Sequence, residues 1–154
     1  AGECNIPDGE VYTAPVKNSI NGTITYNTPS EYNSFKFENV SLTFKNGKIV
    51  KCSGNNKERL NQVFDTDEGA RYVGEFAIGV NPYITKPMNN ILFDEKIGGT
   101  MHMALGAGFP EAGSKNESAI HWDMINDMTV CGKVTADGIV IYENGRFKEE
   151  LLCK

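Results

Sequence analysis

The strongest constraint on this chain is a set of two-residue turn signals set between runs of β-branched and aromatic residues. Asn46-Gly47 divides FENVSLTFK from KIVKCSG, with Val40, Leu42 and Phe44 alternating with polar residues ahead of it and Ile49-Val50 beginning the return. An Asn-Gly pair accepts positive φ at both central positions of a type I′ turn, whose twist suits paired strands, so the segment predicts an antiparallel hairpin. Asp137-Gly138 and Asn144-Gly145 repeat the signal in TADGIVIYENGRF, a second hairpin region. Glu10–Val16 (EVYTAPV) and Gly22–Asn27 (GTITYN) read as further strands, rich in Val, Thr and Tyr and bracketed by Asp-Gly and Asn-Gly.

Helix is scarcer. NNKERLNQVFD, residues 55–65, places Leu60, Val63 and Phe64 on one face behind an asparagine cap. Asp67–Tyr72 is expected to continue or restart that helix, and a short helix is expected near Asn90–Lys96. With 154 residues, no repeat and no low-complexity linker, the expectation is one α+β domain, strand-rich, with a mixed or antiparallel sheet and a few short helices.

Charge and composition narrow the partners. Fifteen basic against twenty acidic residues give a net charge of −5, and no basic stripe is present, which argues against nucleic acid and anionic membrane. No apolar run approaches a membrane span, and AGECNIPDGE lacks the basic start and apolar core of a signal peptide. Cys4, Cys52, Cys131 and Cys153 match no metal-binding spacing and are read as reduced thiols of a cytoplasmic protein. NGT, NVS and NES fit the glycosylation sequon and are taken as ordinary loop or strand residues.

The chemistry is concentrated in a few polar residues set in apolar sequence. The chain has two histidines, and one stands in AIHWDMI. On a strand, His121 and Asp123 share a face while Ile120 and Trp122 point to the other. An imidazole and a carboxylate side by side at a buried site are costly unless satisfied, either by each other or by a divalent metal. His102 lies in the glycine-bounded GGTMHMALGAG, Glu75 in YVGEFAIGV, and Glu10 opens the first strand after PDG. Glu95, in ILFDEKIGG, also suits a solvated position. Glu10, Glu75, His102, His121 and Asp123 together offer two imidazoles and three carboxylates, a set able to hold two divalent ions.

NIPDGEVYTAPV, EGARYVGEFAIGV, LFDEKIGGTMHMALGAGFPE and SAIHWDMI resemble, in order and with similar spacing, the signature segments of the thermophilic metalloaminopeptidases, the family that contains aminopeptidases T and S. The match runs from about Asn5 to at least Asp127. The resemblance implies a two-metal site, usually of zinc or cobalt, with ligands at Glu10, Glu75, His102, His121 and Asp123. Glu95 is similar to a further family glutamate and stands as a weaker ligand or base candidate, as Glu75 also does for the base. In such enzymes the metals polarise the scissile carbonyl and lower the pKa of a water, and a carboxylate carries its proton to the leaving amine. The implied substrate is a peptide with a free N-terminus, and the implied assembly is a homodimer formed through this half of the family's chain.

Two departures accompany the resemblance. By this resemblance, residues 1–154 are expected to correspond to the family's C-terminal, metal-binding part, without its N-terminal domain. Phe109 stands where the family has a tyrosine, seven residues after the histidine of the HxALG segment, whose hydroxyl is suited to an oxyanion. These departures motivate an alternative, a catalytically silent metal-binding or dimerisation module. A non-haem iron oxygenase ranks third: HxD is part of that triad, but the other histidine lies upstream and Glu10 and Glu75 have no role there.

Overall fold

In the computed structural model, residues 5–88 and 90–152 are described. The strands are β1 (Glu10–Thr13), β2 (Gly22–Thr25), β3 (Ser30–Tyr32), β4 (Phe35–Phe37), β5 (Ser41–Lys45), β6 (Lys48–Ser53), β7 (Val73–Gly79), β8 (Thr100–Gly106), β9 (His121–Asp127), β10 (Lys133–Ala136), β11 (Ile139–Glu143) and β12 (Arg146–Phe147). Three short helices, α1 (Lys57–Phe64), α2 (Ile91–Asp94) and α3 (Glu149–Leu152), and a 3-10 turn at Pro110–Ala112 complete the set. The fold is strand-rich, as expected. One sheet has the order β1-β7-β8-β9, and smaller sheets are built from β2-β5-β6, β3-β4 and β10-β11-β12. The pairings within the three smaller sheets are antiparallel.

The chain forms two compact units. One comprises Ala1–Val11, Ile78–Met101 and Asn126–Lys154; the other comprises Tyr12–Ala77 and His102–Ile125.

The second unit holds the larger apolar core. Asn46 and Gly47 take φ of 50° and 81°, and β5 pairs with β6 around them. The register sets Leu42 against Cys52 and Phe44 against Ile49, so the buried residues of both strands face one way. Gly47 is required there: a β-carbon would run into the Lys17 carbonyl. Helix α1 is capped as expected, with Asn56 Oδ1 accepting from Arg59 N at 2.9 Å, and it buries Leu60, Val63 and Phe64. These residues join Tyr26, Phe37, Leu42, Leu105, Trp122 and Met124 in one cluster.

One local expectation is corrected, and one element was not foreseen. Residues 67–72 form turns, with no helix. Asp67 accepts from Ala70 N (2.9 Å), and its carboxylate is also tied to Ser118 Oγ (2.8 Å) and Ala119 N (2.6 Å), far along the chain, which holds the segment as a turn. The hairpin β3–β4 was not anticipated, because its turn contains no glycine: Asn33 and Ser34 themselves take φ of 49° and 58°.

In the first unit, Asp137-Gly138 and Asn144-Gly145 both turn with positive φ, and the expected hairpin extends to a three-stranded sheet. Helix α2 starts at its Asn90 cap, where Oδ1 accepts from Leu92 N at 3.2 Å. Cys52 and Cys131 carry free thiols, whereas Cys4 and Cys153 lie outside the described residues. No helix among the described residues is long and apolar enough to cross a membrane.

Candidate metal centre

Three neighbouring strands, β7, β8 and β9, bring together four of the expected residues in the second unit. Directly opposed residues on adjacent strands stand about 4.5–5.5 Å apart at Cβ, close enough for side chains to meet. Glu75 comes from β7, His102 from β8, and His121 and Asp123 from β9. His102 is fully buried, and Glu75 and Asp123 are 4% and 7% exposed. His102 Nε2 lies 3.4 Å from Glu75 Oε1 and 3.9 Å from Asp123 Oδ1. His121 Nε2 lies 3.9 Å from Glu75 Oε2 and 3.5 Å from Asp123 Oδ1.

Those separations test the fit to a metal. Nitrogen and oxygen ligands about 2.0–2.2 Å from a tetrahedral zinc stand roughly 3.3–3.6 Å from one another. The two shorter pairs, 3.4 and 3.5 Å, match that edge, and the 3.9 Å pairs exceed it by a few tenths of an ångström. The donor set, two imidazole nitrogens and two carboxylates, suits zinc, cobalt and similar ions.

The second nitrogen of His121 supports this reading. Nδ1 lies 2.8 Å from the Ala107 carbonyl. A ring that donates from Nδ1 to a carbonyl presents Nε2 as its ligand atom, the arrangement common to metal-binding histidines. Gly106 makes the approach possible. It holds φ at 95°, a β-carbon there would strike the Ile120 carbonyl, and Ala107 N then donates to that same carbonyl at 2.7 Å. The Asp123 carboxylate pushes the His121 pKa up to about 9, with the Ala107 carbonyl and Glu75 helping and burial opposing.

Strand β9 is held from behind. Trp122 points away from His121 and Asp123, as the alternation predicts, and its ring lies 4.9 Å from Tyr32, 4.9 Å from Phe37 and 6.1 Å from Phe64. Its Nε1 donates to Ser30 Oγ at 2.8 Å, and that hydroxyl donates to the Asp123 carbonyl at 3.2 Å. The Tyr26 hydroxyl is kept neutral, its pKa raised first by burial and then by the Asp123 charge.

Glu10 and Glu95 belong to the first unit, where both approach the ammonium of Lys96. Lys96 Nζ is buried, lies 3.4 Å from Glu10 Oε1 and contacts Glu95 Oε1. Burial alone would lower its pKa, but the two glutamates outweigh that and hold it above the ordinary lysine value. Sequence reasoning missed Lys96, although a lysine beside a candidate ligand in LFDEK was a readable signal. Phe109, in the second unit, packs on His121 with ring centroids 5.4 Å apart.

Known proteins match this chain over most of its length. Residues 2–147 match the family model described as thermophilic metalloprotease (M29). The chain belongs to this family. It is 34% identical to Aminopeptidase 2 of Geobacillus stearothermophilus, over 96% of this chain and 41% of that protein. It is 34% identical to Aminopeptidase AmpS of Bacillus subtilis, over 93% and 40% respectively. The structure of wild-type AmpT from Thermus thermophilus superposes with a TM-score of 0.72 at 28% identity, over 93% of this chain and 40% of that one. The chain therefore spans about two fifths of the length of these relatives. A 2,5-dihydroxypyridine dioxygenase from Pseudomonas putida KT2440 has a TM-score of 0.70 at 15% identity, which is a likeness of fold alone.

Proposed function

We propose that this chain is the metal-binding, catalytic part of an aminopeptidase that releases the N-terminal residue of peptides. The observation that carries the reading is the convergence of His102 and His121 Nε2 on Glu75 and Asp123 at near-ligand spacing. Membership of the family and relatives named as aminopeptidases support it. Two divalent ions, zinc or cobalt, are the proposed cofactors, with Glu75, His102, His121 and Asp123 as ligands and Glu10 and Glu95 as further carboxylates. Bound there, the ions supply Lewis acidity toward a carbonyl and toward water.

The chain's own residues have distinct tasks. Ala107 orients His121 through Nδ1, and Trp122 with Ser30 fixes the strand that presents Asp123. Glu75 and Glu95 are the proposed proton carriers between the attacking water and the leaving amine. Burial of Glu75, Asp123 and His102 limits competing water and strengthens each charge interaction. The free thiols of Cys52 and Cys131 suit the cytoplasm. The proposed assembly is a homodimer; a strict monomer by sedimentation at high concentration would contradict it.

Elemental analysis after loading with zinc or cobalt, with turnover of an aminoacyl reporter, is the test. The His121→Ala, Asp123→Ala double variant is expected to lose metal, and full retention would overturn the assignment. The second reading, a silent metal-binding module, is favoured by Phe109, which offers no hydroxyl at the tyrosine position. It predicts bound metal without turnover.

A further inference from the structure

Large apolar side chains that remain exposed beside a buried polar site are candidates for contact with substrate. Phe109 and Tyr12 are each 41% exposed. Their rings meet edge to face, with centroids 5.7 Å apart and planes at 63°, and Phe109 also covers His121 at 5.4 Å.

The wall is also fixed in place. The Phe109 carbonyl accepts from Ala112 N at 3.1 Å and Ser114 N at 3.2 Å. Pro110 follows and holds Phe109 in extended backbone, at φ −87° and ψ 120°. Gly108 N donates to the Asn116 carbonyl at 3.2 Å, and a β-carbon on Gly108 would collide with the Gly74 carbonyl and Ser114. These bonds fix the backbone from which the Phe109 ring projects, so less freedom is lost there when a ligand packs on it.

We infer that Tyr12 and Phe109 form the specificity wall for the substrate's N-terminal side chain and select an apolar one. The inference rests on the aminopeptidase reading and deepens it. An α-amino acid whose amino and carboxyl ends are held beside His121 projects its side chain past the imidazole onto these rings. An acidic side chain would meet apolar carbon and the carboxylates of Glu75 and Asp123. A basic one could gain a cation–π contact with the same rings, so norleucine against lysine is the decisive pair.

Amino-acid hydroxamates of glycine, alanine, leucine, norleucine and lysine serve as binding probes on the cobalt-loaded protein, read by its visible spectrum. Each methylene buried on the wall contributes about 0.8 kcal/mol, or roughly fourfold in affinity. With burial on one side only, leucine hydroxamate is expected to bind about tenfold more tightly than alanine hydroxamate. Tyr12→Ala should reduce that ratio to about threefold or less, and Tyr12→Phe should preserve it. Equal melting temperatures would show that Tyr12→Ala still folds; if it does not, Tyr12→Ser and Phe109→Leu give the same comparison. Equal binding of all hydroxamates with a clear spectral response would overturn the wall and leave the metal reading intact. Preference for lysine over norleucine would also overturn it. Absence of cobalt binding would remove the aminopeptidase reading, and the inference with it.

Discussion

Asn116 donates from Nδ2 to the carbonyls of Gly69 (2.9 Å) and Gly106 (2.6 Å) and is 4% exposed. In the sequence it is only the first residue of a sequon, NES; in the fold it ties the turn at Gly69 to the end of β8 and has no room for a glycan. Phe109 shows the opposite limit. Its identity was readable from position, but its packing on His121 was not. Removing an oxyanion donor typically costs on the order of 10²–10³ in rate. Phe109→Tyr restores a hydroxyl on an already placed ring, so turnover of an aminoacyl reporter is expected to rise by up to that factor with metal content unchanged. Unchanged turnover would mean that another donor serves the oxyanion or that a different step limits the rate.

The turn at residues 67–72 and the start of β9 are joined by one carboxylate. Ala119 N, then the Ser118 hydroxyl and Ala70 N, hold the Asp67 pKa below its ordinary value. The sign follows from linkage: a carboxyl whose folded pKa is depressed stabilises the fold above its unfolded pKa, near 3.9, and that contribution is lost as pH falls through the folded value. Melting temperatures from pH 7 to pH 3 should therefore decline in the acid range. Asp67→Asn should lower the melting temperature at pH 7 and flatten the acid decline. Parallel curves for the two proteins would refute the role. Strand β9 depends on this tie, because Ser118 and Ala119 lead directly into His121.

Across the molecule, ionisable groups are gathered at positions that a chain of this size seldom buries. Glu75 and Asp123 are almost fully buried near two imidazoles, and carboxylates brought out of water near one another raise each other's cost. Metal that binds only the native state adds about 2.7 kcal/mol at a free concentration one hundred times its dissociation constant. The metal-loaded protein should therefore melt well above the chelator-treated form, by several degrees for a domain of this size. Equal melting temperatures would show that the site is already satisfied without metal.

Local chemistry was legible without the fold. Asn46-Gly47, Asp137-Gly138 and Asn144-Gly145 turn because their residues tolerate positive φ, and Asn56 caps α1 because its side chain reaches Arg59 N. His121 and Asp123 share a face because strand side chains alternate, which needs no partner. The same reading found the candidate ligands as polar residues set in apolar sequence, and the resemblance added the family and its peptidase chemistry. Only the tertiary structure decided which distant residues meet. Glu75, His102 and Asp123 converge because β7, β8 and β9 are neighbours, and the order of strands depends on long loop closures that no short window contains. The β3–β4 turn, the bonds of Asp67 and the position of Lys96 between two glutamates were decided the same way. Each exchanges a favourable local alternative for contacts that exist only once the chain has folded.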